Sequence, residues 1–200
     1  MEIRIITKES VEKQALDRIN EEAIPDSERN RLDDLLDTGA EVLGIIVSDE
    51  PAGFMVVRQY GQIVYLAYLA VRTDLRSKGI GGHALRELIR KYPEQKIVVE
   101  FEAPVGDSSP DSIRLRRKNF YIRNGFYETG WYTFYDETEF EIGCSAPDYD
   151  PEVFNAFVKY LGTIISDHIP KPYRKHAADV RPDKRHRLIG TSGRKSDAVP

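Results

Sequence analysis

The stretch Tyr68-Leu69-Ala70-Val71-Arg72-Thr73-Asp74-Leu75-Arg76-Ser77-Lys78-Gly79-Ile80-Gly81-Gly82 decides how the chain folds. It closes an almost wholly apolar, β-rich run, Ile63 to Val71, which fits a strand buried on both faces at the centre of a sheet. It then opens a segment, Gly79 to Tyr92, in which Leu85, Leu88, Ile89 and Tyr92 recur at helical spacing until Pro93 stops the pattern. The segment is therefore a strand, a glycine-rich turn and a helix N-terminus in succession. Such a junction attracts anions: unpaired backbone N–H groups and the positive end of the helix dipole point outward, and glycine leaves no Cβ between the backbone and a phosphate. Arg76 and Lys78 add positive charge. Neither the dinucleotide pattern Gly-x-Gly-x-x-Gly nor the P-loop pattern Gly-x-x-x-x-Gly-Lys-Ser/Thr is present. Taken alone, three glycines at a helix start serve either a close-packed turn or an anion site.

Working outward, Ile3 to Ile6 reads as a first strand, and Ser10 as the N-cap of a helix carrying Ala15, Leu16 and Ile19. After the break at Ile24-Pro25, Asp26 is the expected cap of a second helix with Leu32, Leu35 and Leu36 on one face, ended by Gly39. Val42 to Val47 and Gly53 to Gln59 form an expected hairpin around Ser48-Asp49-Glu50-Pro51. Downstream come a strand from Ile97 to Phe101, a helix from Asp111 to Asn124 closed by Gly125, and a strand pair, Tyr127 to Tyr135 and Glu139 to Cys144. Asp150 and Pro151 open a last helix with Phe154, Phe157, Val158, Leu161, Ile164 and Ile165. The tail after Pro170 has no sustained periodicity.

Composition bounds the function. Two hundred residues, 40% hydrophobic and 31% charged, describe one soluble domain able to bury roughly two thirds of its unfolded surface. The apolar run Ile63 to Val71 is about half of the roughly 20 residues a bilayer span needs, and Met1-Glu2-Ile3-Arg4 lacks the layout of a signal peptide, so a cytoplasmic protein without a membrane partner is expected. The single Cys144 builds neither an intrachain disulfide nor a thiolate metal cage, and His83, His168, His176 and His186 have no ligand spacing, so no metal site is expected. The net charge of −4 conceals a division: residues 170–200 hold nine Lys/Arg against three Asp/Glu, leaving residues 1–169 strongly acidic. An acidic body disfavours nucleic acid as main ligand and weakly favours a cationic one.

At the glycine turn the chain resembles the GNAT superfamily of acyl-CoA-dependent N-acyltransferases. Arg76-Ser77-Lys78-Gly79-Ile80-Gly81 fits that family's Gln/Arg-x-x-Gly-x-Gly/Ala signature, after an apolar strand ending Leu69-Ala70-Val71 and before an amphipathic helix. A second segment, Phe120-Tyr121-Ile122-Arg123-Asn124-Gly125-Phe126, resembles the family's aromatic-Tyr-x-x-x-Gly-Phe stretch at the end of a later helix. The resemblance covers the first three quarters of the chain. It implies an α/β (α+β) fold: a GNAT-type mixed central sheet with flanking helices and, here, a C-terminal helical extension. On that frame residues 1–146 are the acetyltransferase domain, 147–169 a helix packing on the domain or on a second subunit, with a homodimer contact expected, and 170–200 a basic tail.

What the resemblance implies about chemistry is specific. Backbone N–H groups of Arg76, Ser77, Lys78, Gly79, Ile80, Gly81 and the neighbouring Gly82 would hold the pyrophosphate of acetyl-CoA, and Leu69, Ala70 and Val71 would line its pantetheine arm. A neutral primary amine attacks the thioester directly in a ternary complex; the amine loses a proton to a base, the oxyanion takes an N–H donor, and the thiolate takes an acid. Tyr121 stands at the family's acid position. Several members carry a glutamate on the central strand, but Val64 to Tyr68 contains no carboxylate, so the candidate bases are Glu100 and Glu102, two residues apart and on one face of the next strand, with a water relay touching Tyr65 or Tyr68 as another route. Arg114 replaces the asparagine that many members use on pantetheine, and Arg114, Arg116, Arg117, Lys118 and Arg123 are candidates for attracting CoA phosphates. The acceptor would enter between Ile24 to Asp34 and Glu128 to Glu139, whose carboxylates suit a cationic amine. The alternative is a non-catalytic acyl-CoA-binding module that kept the turn and lost the base.

Overall fold

The computed structural model describes residues 1–26, 28–104, 109, 112–135, 137–164 and 172–175. Asp111, Asp136, Ile165, His168, His176, His186 and most of the tail lie outside the described residues.

Eight strands form one sheet: β1 (Glu2–Ile6), β2 (Glu41–Val47), β3 (Glu50–Tyr60), β4 (Ile63–Val71), β5 (Lys96–Glu102), β6 (Tyr127–Tyr135), β7 (Thr138–Cys144) and β8 (Tyr173–Arg174), in the order β1-β2-β3-β4-β5-β7-β6-β8. Every neighbouring pair is antiparallel except β4 and β5, whose crossover contains the glycine turn and the helix α3 (Ile80–Lys91). A parallel pair needs such a crossover, which is why the quoted stretch fixes the fold. The remaining helices are α1 (Lys13–Ala23), α2 (Leu32–Asp37), α4 (Ile113–Arg123) and α5 (Pro151–Ile164).

Two faces divide the core. Leu43, Met55, Leu66, Val99 and Phe101 pack beneath Leu85 and Leu88 of α3 and Tyr121 of α4. On the opposite face, Leu16, Ile19 and Leu32 of α1 and α2 cover Val42, Phe54 and Val56, while Phe154, Phe157, Val158 and Leu161 of α5 cover Val98, Ile142 and Cys144. The apolar face of α5 is thus closed by the chain's own sheet, with Phe154 at 0% and Phe157 at 1% exposure. Of the two expected covers for this helix, the chain's own sheet is the one that its buried side chains contact.

Local chemistry moves three other boundaries. The Ser10 hydroxyl accepts the Thr7 N–H (2.9 Å) and its carbonyl accepts the Lys13 N–H (3.0 Å), so Ser10 closes a turn and α1 begins later, after Glu12. Asp26 pairs with Arg29 (2.5 Å) and the Glu28 N–H bonds the Pro25 carbonyl (2.9 Å), which holds the stretch before α2 out of helical geometry, and the N-cap falls on Arg31. The β2–β3 connection is a two-residue turn at Ser48 and Asp49, whose φ values of 51° and 62° match the primed turns that suit the twist of a hairpin. Asp150 does cap α5, accepting the Glu152 N–H (2.9 Å).

Part of the basic tail is edge strand. Tyr173 and Arg174 pair with Tyr132 and Trp131, and Lys175 joins Glu139 while its ammonium lies 4.4 Å over the Tyr132 ring. No helix among the described residues is long and apolar enough to cross a membrane.

Candidate active site

β4 and β5 run paired from Ile63↔Lys96 to Leu66↔Val99 and then part. On the other side of β4 the register slips: Val57 faces Leu66 and Val56 faces Tyr68, leaving Ala67 as a bulge. A bulge bends its strand and ends local pairing. The splayed ends leave the β5-facing edge of β4 beyond Leu66 without ladder partners, and the glycine turn sits at the end of that edge.

Inside the turn, Ser77 (φ 63°) and Gly79 (φ 80°) are left-handed, a conformation that glycine adopts without a Cβ penalty. The first internal bond of α3 runs from the His83 N–H to the Gly79 carbonyl (3.0 Å), and among the described residues the N–H groups of Ser77 to Gly82 have no hydrogen-bond partner. These donors, with the exposed side chains of Arg76 and Lys78 beside them, form a cradle for an anion. Gly81 and Gly82 also serve packing: a Cβ on Gly81 would lie 3.3 Å from the Phe120 ring, and one on Gly82 would lie 2.4 Å from the Asn124 Oδ1 of α4. Close-packed turn and anion cradle therefore coexist.

Glu100 is the first β5 residue past the last pair with β4, at the crotch of the splay. Its Oε2 accepts the Tyr65 hydroxyl (2.9 Å) and its Oε1 is bonded by Thr133 of β6. Burial pushes its carboxyl above the ordinary carboxylate range, while the bonds from Thr133 and Tyr65 pull the other way. The Tyr149 hydroxyl is buried without a partner among the described residues, and burial, then the nearby Glu100 charge, raise its pKa. The Tyr149 ring packs on Phe154 (6.2 Å between centroids), as Tyr65 does (6.1 Å), so α5 closes this side of the crotch. Glu102 fares differently: it pairs with Arg114 (2.5 Å) and Arg117 (3.1 Å) of α4.

Tyr121 approaches the crotch from the other face. Its ring stacks on Phe101 (5.4 Å, 15°) with Phe120 and Phe126 edge-on at 5.3 and 5.5 Å. Burial pushes its phenol up to about 12, against a lesser lowering by Arg117, and its hydroxyl has no hydrogen-bond partner among the described residues. Because Glu100 and Phe101 are consecutive on a strand, their side chains leave opposite faces, so a carboxyl and a phenol flank the same gap.

The cation run of α4 is mostly engaged within the protein. Arg114 and Arg117 hold Glu102, and Lys118 bonds Glu141 (2.9 Å) and Glu128. Only Arg116 and Arg123 of the five expected phosphate-attracting cations stay exposed without an ion pair among the described residues, because carboxylates on β5, β6 and β7 lie within reach of the other three. The His83 ring contacts Glu87 (3.3 Å). The acidic residues expected to wall the acceptor are likewise partly neutralised within the chain: Asp26 by Arg29, Asp33 by Lys13 (2.9 Å), Glu128 by Lys118 and Glu139 by Lys175. Among the described residues, no group of three or more His, Cys, Asp or Glu side chains converges to hold a metal ion.

Thr133 and Tyr149 carried no signal in the sequence. β7 inserts between β5 and β6, and Thr133 reaches Glu100 across it.

Against families of known proteins, residues 8–126 match the profile of the Acetyltransferase (GNAT) family. A search of curated protein sequences finds no significant match. Among solved structures, a protein described as a GNAT-family acetyltransferase from Bacteroides thetaiotaomicron superposes with a TM-score of 0.67 at 24% identity, covering 82% of this chain and 97% of that one. The ribosomal-protein-S18-alanine N-acetyltransferase from Escherichia coli gives 0.55 at 17% identity, covering 76% and 97%. A GNAT family acetyltransferase from Elizabethkingia anophelis with acetyl-CoA bound gives 0.50 at 19%, covering 72% and 95%. At these identities the likeness establishes a shared fold.

Proposed function

Because the chain belongs to the GNAT family of acetyltransferases, we propose that it moves the acetyl group of acetyl-CoA directly onto a primary amine held in the same complex. The observation that carries this reading is the splay itself, with Glu100 and Tyr121 on its two faces and an unpaired N–H cradle at its end. The fit to the cosubstrate is physical: the N–H groups of Ser77 to Gly82 suit a pyrophosphate, and the free edge at Leu69, Ala70 and Val71 suits the amide-bearing pantetheine arm.

In this reading Glu100 is the base. Burial raises its proton affinity above that of an ordinary carboxylate, and the Tyr65 hydroxyl on Oε2 passes the proton inward from the acceptor amine. Glu102 orients α4 through Arg114 and Arg117 instead. An N–H on the open edge of β4 meets the charge that develops on the carbonyl oxygen. Tyr121 remains a phenol far above neutral pH and donates its proton to the departing sulfur. The acceptor enters between residues 24–34 and 128–139, where Glu28 and Asp34 on one side and Glu137 on the other keep exposed carboxylates that favour a cationic amine.

The test is an acceptor screen with acetyl-CoA that detects released thiol across polyamines, aminoglycosides, amino acids and peptide amines. Tyr121→Phe should lower kcat by roughly 10²- to 10⁴-fold with little change in CoA affinity. One observation favours the rival, binding without turnover: Tyr65, Thr133, Tyr149 and α5 enclose Glu100. That rival predicts CoA binding with no thiol release from the parent protein on any amine.

A further inference from the structure

We propose that Tyr68 is a positioning residue that carries occupancy of the splay to the acceptor wall, so that CoA lying along β4 fixes residues 24–31. The inference rests on the site reading above. Tyr68 follows the bulged Ala67, and its backbone pairs with Val56 on one edge while the other edge faces the splay. Its hydroxyl donates to the Glu28 carbonyl (2.8 Å) and accepts from the Asn30 amide Nδ2 (2.8 Å), both in the segment joining α1 to α2. The same stretch is also tied to α1: the Asn20 side-chain amide, 5% exposed, donates to the Asn30 carbonyl (2.9 Å), and Arg29 donates to the Glu21 carbonyl (3.0 Å). Glu28 and Asn30 are therefore held by α1, by the helix α2 that Arg31 opens, and by one tyrosine on a strand whose other edge is unpaired.

A ligand that supplies the missing ladder along the free edge of β4 stiffens the strand where Tyr68 leaves it, and the two hydroxyl bonds pass that stiffening to Glu28 and Asn30. Burial keeps the phenol protonated and thus a donor. The remote end of the acceptor wall needs no contact with CoA for this coupling.

Hydrogen–deuterium exchange of residues 24–31, with and without coenzyme A, tests it. In the parent protein CoA should slow exchange across the segment. Tyr68→Phe removes both bonds, so the segment should exchange about tenfold faster without CoA; CoA should still bind, by calorimetry, yet no longer slow it. Asn30→Ala, on an exposed side chain, removes one bond and should give about a threefold effect, which keeps the proposal testable if Tyr68→Phe folds poorly. Protection by CoA that survives in both variants overturns the proposal, as does CoA binding to the parent without any change at 24–31. If CoA fails to bind the parent at all, the site reading falls and this proposal with it.

Discussion

Replacing Gly82 by alanine tests whether the glycine turn is built for packing as well as for a ligand. The added Cβ would stand 2.4 Å from Oδ1 and 3.1 Å from Cγ of Asn124. Asn124 is not free to swing aside: its Nδ2 donates to the Phe120 carbonyl (2.8 Å) and its Oδ1 accepts from Arg86 (3.2 Å). Displacing it loses two bonds of about 1 kcal/mol each, while alanine in a helix returns at most about 1 kcal/mol over glycine. The expected net loss is about 1 kcal/mol, or a fall in Tm of roughly 2–4 °C for a chain of this size. With Asn124→Ala already made, the obstacle is gone and Gly82→Ala should stabilise by about 1 kcal/mol, so the cycle has a coupling of about 2 kcal/mol. Urea unfolding of the four proteins reads the cycle. CoA affinity should follow it, weakened in the single variant and recovered in the double, because the shifted start of α3 carries the N–H cradle. A Gly82→Ala protein as stable as the parent, or an equal increment in both backgrounds, would refute the packing argument.

Two further outcomes are expected. The Glu100 carboxyl titrates above its ordinary value of 4.5 in the fold, whereas the unfolded chain ionises near that value, so the folded state keeps the proton longer. The stability this group contributes is present below about pH 4.5 and is lost as pH rises toward its folded pKa; the Tm of the parent should decline across that window relative to Glu100→Gln, and parallel curves would count against it. Lys118→Met leaves the Glu141 side chain, 2% exposed, as an unpaired buried charge beside Glu128, at a cost of about 3 kcal/mol that Lys118→Met/Glu141→Leu should largely remove. A single-variant loss below about 1 kcal/mol in denaturant titration would show that water already reaches the pair.

The strands and helices were legible because apolar periodicity marks them directly: β4 runs from Ile63 to Val71 as read, and α3 fills the helix expected after Gly79. The two motif segments also lay where the resemblance implied. What the sequence withheld depends on pairing across elements. A run of Arg and Lys on α4 reads the same whether it faces solvent or holds Glu102 and Glu141. Asp26 has the chemistry of a helix cap, but Arg29, three residues on, captures it in a turn. The apolar stripe of α5 announces that something must cover it and does not say what. Glu100 and Glu102 are indistinguishable by spacing; one ends under Tyr65 and Thr133, the other beside two arginines, because neighbouring elements treat adjacent turns of one strand face differently.

The segment shared with the family ends at residue 126, whereas the helix that closes over Glu100 begins at Pro151. Part of the burial that raises the carboxyl's proton affinity thus comes from outside the strands and turn that define the family's frame, beside the bond from Tyr65 within it. Exchanging that helix for one with a smaller residue at Phe154 would admit water and lower the pKa of Glu100 without altering a strand, so the proton affinity of this buried carboxyl can drift in evolution, or be tuned by design, independently of the glycine turn.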